Sequence, residues 1–409
     1  MGWVAAAAAF FLLQQAAAPA GNPAREGLKA LEEERYEEAA QAFEKAIEAH
    51  PEDYGSLFNL AFAYTMLGRK QEAIAGYEKV LALKPGLYQA ELNLGILLVG
   101  EKKAERAIPY LQAAAQQKPS AFRPNYYLAE ALYMNGDDAG AERYYRKAAE
   151  IDPTAPDVQI GLGRAVFNQG RYEEAETYYR KAAELDARYK TYLLELGTRY
   201  EEKDKAEAAI RIYRLFLDKP VVQERLGHLL LRLGRAEEAL PHLVQAVSLS
   251  PTQANRFALA MAYIKTRQPD KALPLLDQVL AEDPKNYDIL MIRGRLLRDQ
   301  RRFGPAAQDF LRAVEARPDS QEAWKELAGM LILLEDYPRA LAALDRVEAL
   351  GKAPASIHFF RGMIWDKAHQ YEKALASYQK FLALSNNEFP DEEFKARQRI
   401  KVIQRELRR

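Results

Sequence analysis

Five histidines are the first residues to test for chemistry: His50, His228, His242, His358 and His369. Ligating a metal from one helix needs partners three or four residues apart, and no two of these stand at that spacing. The chain has no cysteine, which excludes disulfides, thiolate metal sites and cysteine nucleophiles. Gly161-Leu162-Gly163 begins like a dinucleotide-binding turn, but no strand pattern precedes it, and no Walker-type phosphate loop occurs. Paired acids recur at Glu37-Glu38, Glu173-Glu174 and Glu237-Glu238. Two carboxylates could serve acid–base chemistry. A dyad would not be copied along a chain, however, whereas acids at a helix start complement its dipole. The residues predict no enzyme, no cofactor and no metal; an active site would need groups converging from distant segments.

The acid pairs belong to a longer recurrence. RYEEAAQAFEKAIEAHPED at Arg35 returns as RYEEAETYYRKAAELDA at Arg171. The alanine after the acids recurs as Ala39, Ala73, Ala107, Ala141, Ala175 and Ala209, each 34 apart. Ala239, Ala272, Ala306, Ala340 and Ala374 follow at steps of 30, 33, 34, 34 and 34, which makes eleven units. A repeat array escapes the usual conversion of 409 residues into two or three domains, because each unit buries itself against its neighbours. With 58 basic and 58 acidic residues the formal net charge is zero, so no global field attracts nucleic acid.

Each unit reads as two helices. In the fifth, Asp157 to Gln169 and Glu173 to Leu185 carry the pattern and Gly170 breaks it. One place in the first helix is always small: Gly27, Ala61, Gly95, Ala129, Gly163, Gly197, Gly227, Ala260, Gly294, Ala328 and Gly362. A glycine inside a helix costs about 1 kcal/mol against alanine. Its repetition therefore predicts a close helix crossing, with the marker alanine as the matching small residue on the second helix. Pro51, Pro85, Pro119, Pro153, Pro251, Pro284 and Pro318 close units, since proline cannot extend a helix. The 30-residue step places one shortened unit at about 190–219, and Pro220 opens the next helix.

Leucine then glycine in the first helix, an aromatic three further on, the alanine, an aromatic four later and a closing proline together resemble the tetratricopeptide repeat. Leu196-Gly197 with Tyr200, Ala209 and Tyr213 carries the pattern, as does Trp324 with Leu327, Ala328, Ala340 and Leu344. Arg293 and Arg361 depart from it by replacing the leucine; their stems are expected to pack while their heads reach water. The resemblance implies an all-α fold, a right-handed α-solenoid of antiparallel helix pairs whose first helices line a concave groove. It covers 21–388 as eleven repeats, with boundaries near 54, 88, 122, 156, 190, 220, 253, 287, 321 and 355. Beyond it, 389–409 reads as a basic helix that caps the array: Ala396, Ile400, Ile403 and Leu407 form one apolar stripe among Lys and Arg. A basic helix of this kind could also meet anionic lipid or nucleic acid.

The start of the chain differs in character. Residues 1–20 carry no charged side chain, and Trp3 to Leu13 is an apolar run of eleven, too short to span a bilayer but suited to a signal peptide. Ala18-Pro19-Ala20 offers small residues at the cleavage spacing. A bacterial exported protein, periplasmic or secreted, is expected, with no membrane span after cleavage; the alternative is a disordered Ala-rich leader on a cytoplasmic protein.

Carried over from the family unit by unit, the groove is expected to present Phe58, Asn59 and Phe62, then Leu92, Asn93 and Ile96, then Arg123, Tyr126 and Glu130, with Tyr127 and Tyr133 beside them. The aromatics would supply contact area at low entropy cost, although Tyr127 and Tyr133 could equally fill space between first helices. Some relatives use asparagines at the places of Asn59 and Asn93 to hold an extended peptide. Five places of the family's carboxylate clamp hold Ala24, Leu28, Asn59, Gln89 and Asn93, so its cations are missing. Further along, the lining becomes charged, through Arg164, Glu195, Arg295, Arg298 and Glu326 among others. The expected function is a monomeric, non-enzymatic scaffold that binds an extended peptide or protein and no nucleic acid. The alternatives are a self-assembling structural element of the cell envelope, or an accessory subunit of an envelope polysaccharide or glycosyl-transfer system.

Overall fold

A computed structural model describes residues 22–351 and 354–408. The expected signal segment, 1–20, lies outside the described residues. Among those residues the chain forms 23 α-helices and no strand. It divides into two compact units between Ile212 and Tyr213.

Unit 1 holds α1 (Pro23–Glu32), α2 (Tyr36–Ala49), α3 (Tyr54–Met66), α4 (Lys70–Leu83), α5 (Tyr88–Gly100), α6 (Ala104–Gln117), α7 (Phe122–Met134), α8 (Asp138–Ile151), α9 (Pro156–Asn168), α10 (Tyr172–Leu185), α11 (Tyr192–Glu202) and most of α12 (Ala206–Tyr213). Unit 2 holds α13 (Pro220–Arg232), α14 (Ala236–Leu249), α15 (Gln253–Lys265), α16 (Pro269–Glu282), α17 (Tyr287–Asp299), α18 (Phe303–Ala316), α19 (Gln321–Leu333), α20 (Tyr337–Ala349), α21 (Ser356–Lys367), α22 (Tyr371–Leu384) and α23 (Pro390–Glu406). Within each unit the helices stack as antiparallel pairs, an α-solenoid. The substantial helix–helix packing joins each helix to those one or two places away in the chain.

The shortened unit loses its residues from the second helix. Most second helices run 14 residues, but α12 has 8 and ends in a short 3-10 turn, Arg214–Phe216. A further 3-10 turn, Ala187–Thr191, precedes α11.

Two backbone devices build every pair. The first is the turn between its helices. One residue there takes a left-handed conformation: Glu34, Gly68, Lys102, Gly136, Gly170, Asp204, Gly234, Arg267, Arg301, Glu335 and His369, with φ between 54° and 84°. The next residue's N–H then reaches back to a carbonyl five residues earlier, as Arg171 to Val166 at 3.0 Å and Arg302 to Leu297 at 2.8 Å. Both features end a helix by satisfying its orphan carbonyls. Only four of these eleven residues are glycine, which is why sequence alone marks the turn unevenly.

The second device is the helix crossing. All eleven marker alanines are fully buried. The glycines do not face them most closely, as the sequence suggested, but face the large residue four places beyond. A Cβ added to Gly163 would lie 2.7 Å from the Tyr179 ring, one on Gly95 2.4 Å from Leu111, and one on Gly294 2.7 Å from Phe310. The ring occupies the space that a first-helix side chain would need.

Unit 2 corrects the reading of its two arginines. Arg293 is 16% exposed and its guanidinium holds both oxygens of Asp309, itself 2% exposed, while also meeting Asp277. Arg361, 14% exposed, pairs with Asp345 at 2.6 Å and with Glu348. Both heads stay within the fold because carboxylates on neighbouring second helices replace their hydration.

Glu348 also accepts from Lys380 at 2.9 Å. Lys380 and then Arg361 pull its pKa down to about 2. Buried His358 lies 3.9 Å from it, and its pKa is lowered by burial and then by Lys380. Both groups favour the deprotonated form in the folded state. Their stabilisation is therefore complete above their unfolded values of 6.5 and 4.5, and is lost as pH falls through the lowered ones. Hydrogen exchange in α20–α22, corrected for intrinsic rates, is expected to accelerate from about pH 6.5 downwards. An unchanged protection profile at pH 4 would contradict this.

The last helix, α23, buries Ala396 and Ile403 against α22. Its stripe supplies the apolar face; Arg397 is exposed and pairs with Glu393 on its own helix, while Arg399 reaches across to buried Asp366 of α21. No helix among the described residues is long and apolar enough to cross a membrane.

Candidate functional site

The nine expected groove residues divide into two sets. Phe58, Asn59 and Leu92 are core residues, 7%, 5% and 7% exposed. Phe58 packs edge-to-face on Tyr77 at 5.5 Å. These three face neighbouring helices, so they present little to a ligand. Phe62 and Ile96 are half-buried, and half-buried Asn93 donates to the Tyr77 hydroxyl at 3.2 Å. A tyrosine oxygen thus takes one of the amide donors assigned to a bound backbone.

The second set converges with residues that the sequence did not single out. In α7, Arg123 is exposed, and Tyr126 stacks on Phe122 at 5.6 Å and meets Tyr127 edge-to-face at 5.2 Å. One turn along, Glu130 accepts from the hydroxyl of buried Tyr145. Burial raises the Glu130 pKa, against the opposing effects of Tyr145 and Arg164. Burial likewise raises Tyr126, with Glu130 and Asp157 adding to it. Asp157, at the start of α9, accepts from Tyr189 at 2.6 Å, and Tyr189 stacks on Tyr192 at 5.4 Å. Tyr189 and Tyr192 lie where the shortened unit begins; the 3-10 turn there gives no helical periodicity by which sequence could place them.

Arg164 in α9 binds Glu195 in α11 through Nε at 2.9 Å and Nη2 at 2.5 Å. Tyr179 donates to the same carboxylate at 3.0 Å. Burial opposes both charges, but the pair outweighs it: Glu195 is held below its ordinary pKa and Arg164 above its own. In unit 2, Arg295 and Arg298 of α17 both hold Glu326 of α19, at 3.0 and 2.6 Å. The charged lining therefore joins consecutive first helices. It is consumed largely within the fold and leaves the rings of α7, of the 3-10 turn Ala187–Thr191 and of α11 as the distinctive surface.

Chemically, this surface offers aromatic area, hydroxyls and carboxylates. Glu130 and Asp157 accept tyrosine hydroxyls, and nothing beside them resembles an activated nucleophile. Among the described residues no group of three or more histidines or acids is placed to hold a metal.

Comparison with known proteins agrees with the helix pairs. Protein O-mannosyl-transferase TMTC1 of Homo sapiens is 26% identical over 196 residues, 38% of this chain and 22% of that protein. Anaphase-promoting complex subunit 3 of Schizosaccharomyces pombe (strain 972 / ATCC 24843) is 26% identical over 122 residues, 30% of this chain and 18% of that protein. The chain thus spans about a fifth of the length of these curated relatives. Among solved structures, MamA 41-end from Desulfovibrio magneticus RS-1 is 24% identical with TM-score 0.39, covering 40% of this chain and 93% of that one. MamA AMB-1 C2221 is 26% identical with TM-score 0.39, covering 40% and 96%. Profiles described as tetratricopeptide repeat match residues 24–88, 92–156, 257–321, 294–357 and 331–389, and further ones match 135–195 and 222–253. With more than half of the sequence matched, and with its helix pairs joined by the same turn and crossing, the chain belongs to the tetratricopeptide-repeat family.

Proposed function

We propose that the chain is a non-enzymatic scaffold that holds an extended polypeptide across the first helices of unit 1, acting as a monomer. The observation that carries this reading is the cluster of Tyr126, Tyr127, Tyr189 and Tyr192 around Glu130 and Asp157. Rigid aromatic rings give contact area with little entropy loss, and hydroxyls and carboxylates beside them orient a backbone or a basic side chain. Arg123, Phe62 and Ile96 extend the surface towards the start of the unit. Asn93 supports it through Tyr77, while Phe58, Asn59 and Leu92 support it from the core.

The test is affinity capture on the immobilised chain, with Arg123→Glu/Tyr126→Ala as the comparison. A specific partner is expected to bind about ten-fold more weakly to the variant, with helicity by circular dichroism unchanged. Equal retention by a folded variant would remove the site from unit 1's inner face. Light scattering checks the monomer: mass that rises with concentration would favour the self-assembling alternative. The match to part of protein O-mannosyl-transferase TMTC1 favours a second reading, an accessory subunit of a glycosyl-transfer system. That reading requires a transferase chain among the captured proteins. The acidic helix starts and closing prolines belong to the framework and carry no partner identity. An exported location follows only if the first residues act as a signal, which N-terminal sequencing of the mature protein decides.

A further inference from the structure

Two second helices begin without an acid. Glu37, Glu105, Glu173, Glu237 and Glu372 stand two places before the marker alanine of their units, where α18 has Gly304 and α20 has Pro338. Neither α18 nor α20 carries an acidic residue in its first turn, whereas each of the other nine second helices does. One place after the marker, α18 has Ala307 where Ile74, Ile108, Leu240 and Leu273 stand in other units.

The missing side chains leave a cavity of about 410 Å³ between α18 and α20, over α19. Gly304 and Ala307 line one side, and Ala342 and Ala343 the other. A Cβ added to Gly304 would meet nothing within 4 Å. The floor is one row of α19, Trp324, Leu327, Leu331 and Leu334, about 15 Å long by the helix rise. Leu311 and Leu334 stay exposed at the mouth.

Two cations, Arg339 and Arg346, line this cavity, and no carboxylate does. Arg339 is bonded to Asp336. Arg346 lies over the Trp324 ring, 5.7 Å from its centroid, and has no ion-pair partner among the described residues. The indole N–H is already used, donating to the Pro318 carbonyl at 2.9 Å. The floor therefore offers no free hydrogen-bonding group. A peptide backbone laid along it would lose its water without replacement, whereas a hydrocarbon chain gains by losing water.

We propose that this cavity binds a single-chain carboxylate amphiphile, a fatty acid. Its carboxylate meets Arg346, and its chain runs over Leu327 and Leu331 towards Leu334. About twelve carbons span the row, with bonds of about 1.5 Å set in a zigzag. The volume lies within the range of small-molecule sites. The site lies within unit 2 and does not depend on the unit 1 reading.

Isothermal titration calorimetry on the full chain, below the micelle concentration, tests it with octanoate, dodecanoate and dodecyltrimethylammonium. Dodecanoate is expected to bind at least about ten-fold more tightly than octanoate, since each methylene that enters adds about two- to four-fold. The ammonium of equal chain length is expected to bind about ten-fold more weakly, because it meets Arg346. Arg346→Gln is expected to remove the preference for the carboxylate and to keep the dependence on chain length. Ala307→Ile and Gly304→Glu each put back a residue that other units carry. Each is expected to weaken dodecanoate at least about ten-fold with an unchanged melting curve. No heat with dodecanoate at millimolar concentration, no dependence on chain length, or an unchanged affinity in both filling variants would overturn the proposal. So would co-sedimentation with phosphatidylglycerol vesicles that is lost in Arg346→Gln, which would give this face to a membrane.

Discussion

Arg293→Ala is expected to destabilise unit 2 by about 3–5 kcal/mol, the range for breaking a buried ion pair from one side. The cause is the group left behind. Asp309 is 2% exposed, and its carboxylate is bound by Arg293 through Nε at 2.7 Å and through Nη2. Removing the guanidinium strands a charge that water cannot reach. Arg293→Leu restores the residue typical of the repeat yet leaves the same stranded carboxylate, so it too is expected to destabilise. The double change Arg293→Leu/Asp309→Leu removes both charges and is expected to recover most of the loss. Denaturation of the three variants, with hydrogen exchange localised to α17–α18, reads the difference. A cost below about 1 kcal/mol for Arg293→Ala would mean that the pair behaves like a surface bridge.

Tyr179→Ala is the second large effect, expected at about 3–5 kcal/mol. Tyr179 is fully buried, fills the space opposite Gly163 and donates to Glu195 at 3.0 Å. Gly163→Leu alone should cost about 1–3 kcal/mol, because the new side chain would collide with the ring. Combined with Tyr179→Ala, however, the leucine enters the vacated volume. The pair is expected to be less damaging than the sum of its parts by at least about 1 kcal/mol. Simple additivity in a double-mutant cycle would show that the glycine and the ring do not share that space.

The contrast between these two sites explains what sequence could and could not reveal. The crossing was legible because it recurs: a small residue at one place and alanine at another in all eleven units require a common steric cause. Its partner was misassigned because alanine is the constant feature, whereas the filling residue varies among Phe43, Leu111, Tyr179 and Phe310. Arg293 was misread because its partners, Asp277 and Asp309, lie on two other helices; Asp277 has a counterpart in Asp345 beside Arg361, but Asp309 has none. The same limit applies to the inner face. Family positions named Tyr126 and Glu130 of α7 beside Phe58 and Leu92, but could not show that the last two turn into the core. Asp157 and Tyr189, 32 residues apart, meet through the 3-10 turn Ala187–Thr191, where no helical period marks them. Repetition exposes what the units share and hides what occurs in one of them.

Because each helix packs against those one or two places away in the chain, nothing in a pair must wait for a distant segment to be made. Packing so local in sequence favours fast folding. At about 5–20 residues per second, a ribosome completes a 34-residue unit every few seconds. Each new pair can therefore dock on the one before it while synthesis continues. The unfinished chain exposes one raw end at a time, and the full apolar surface of the array is never presented at once.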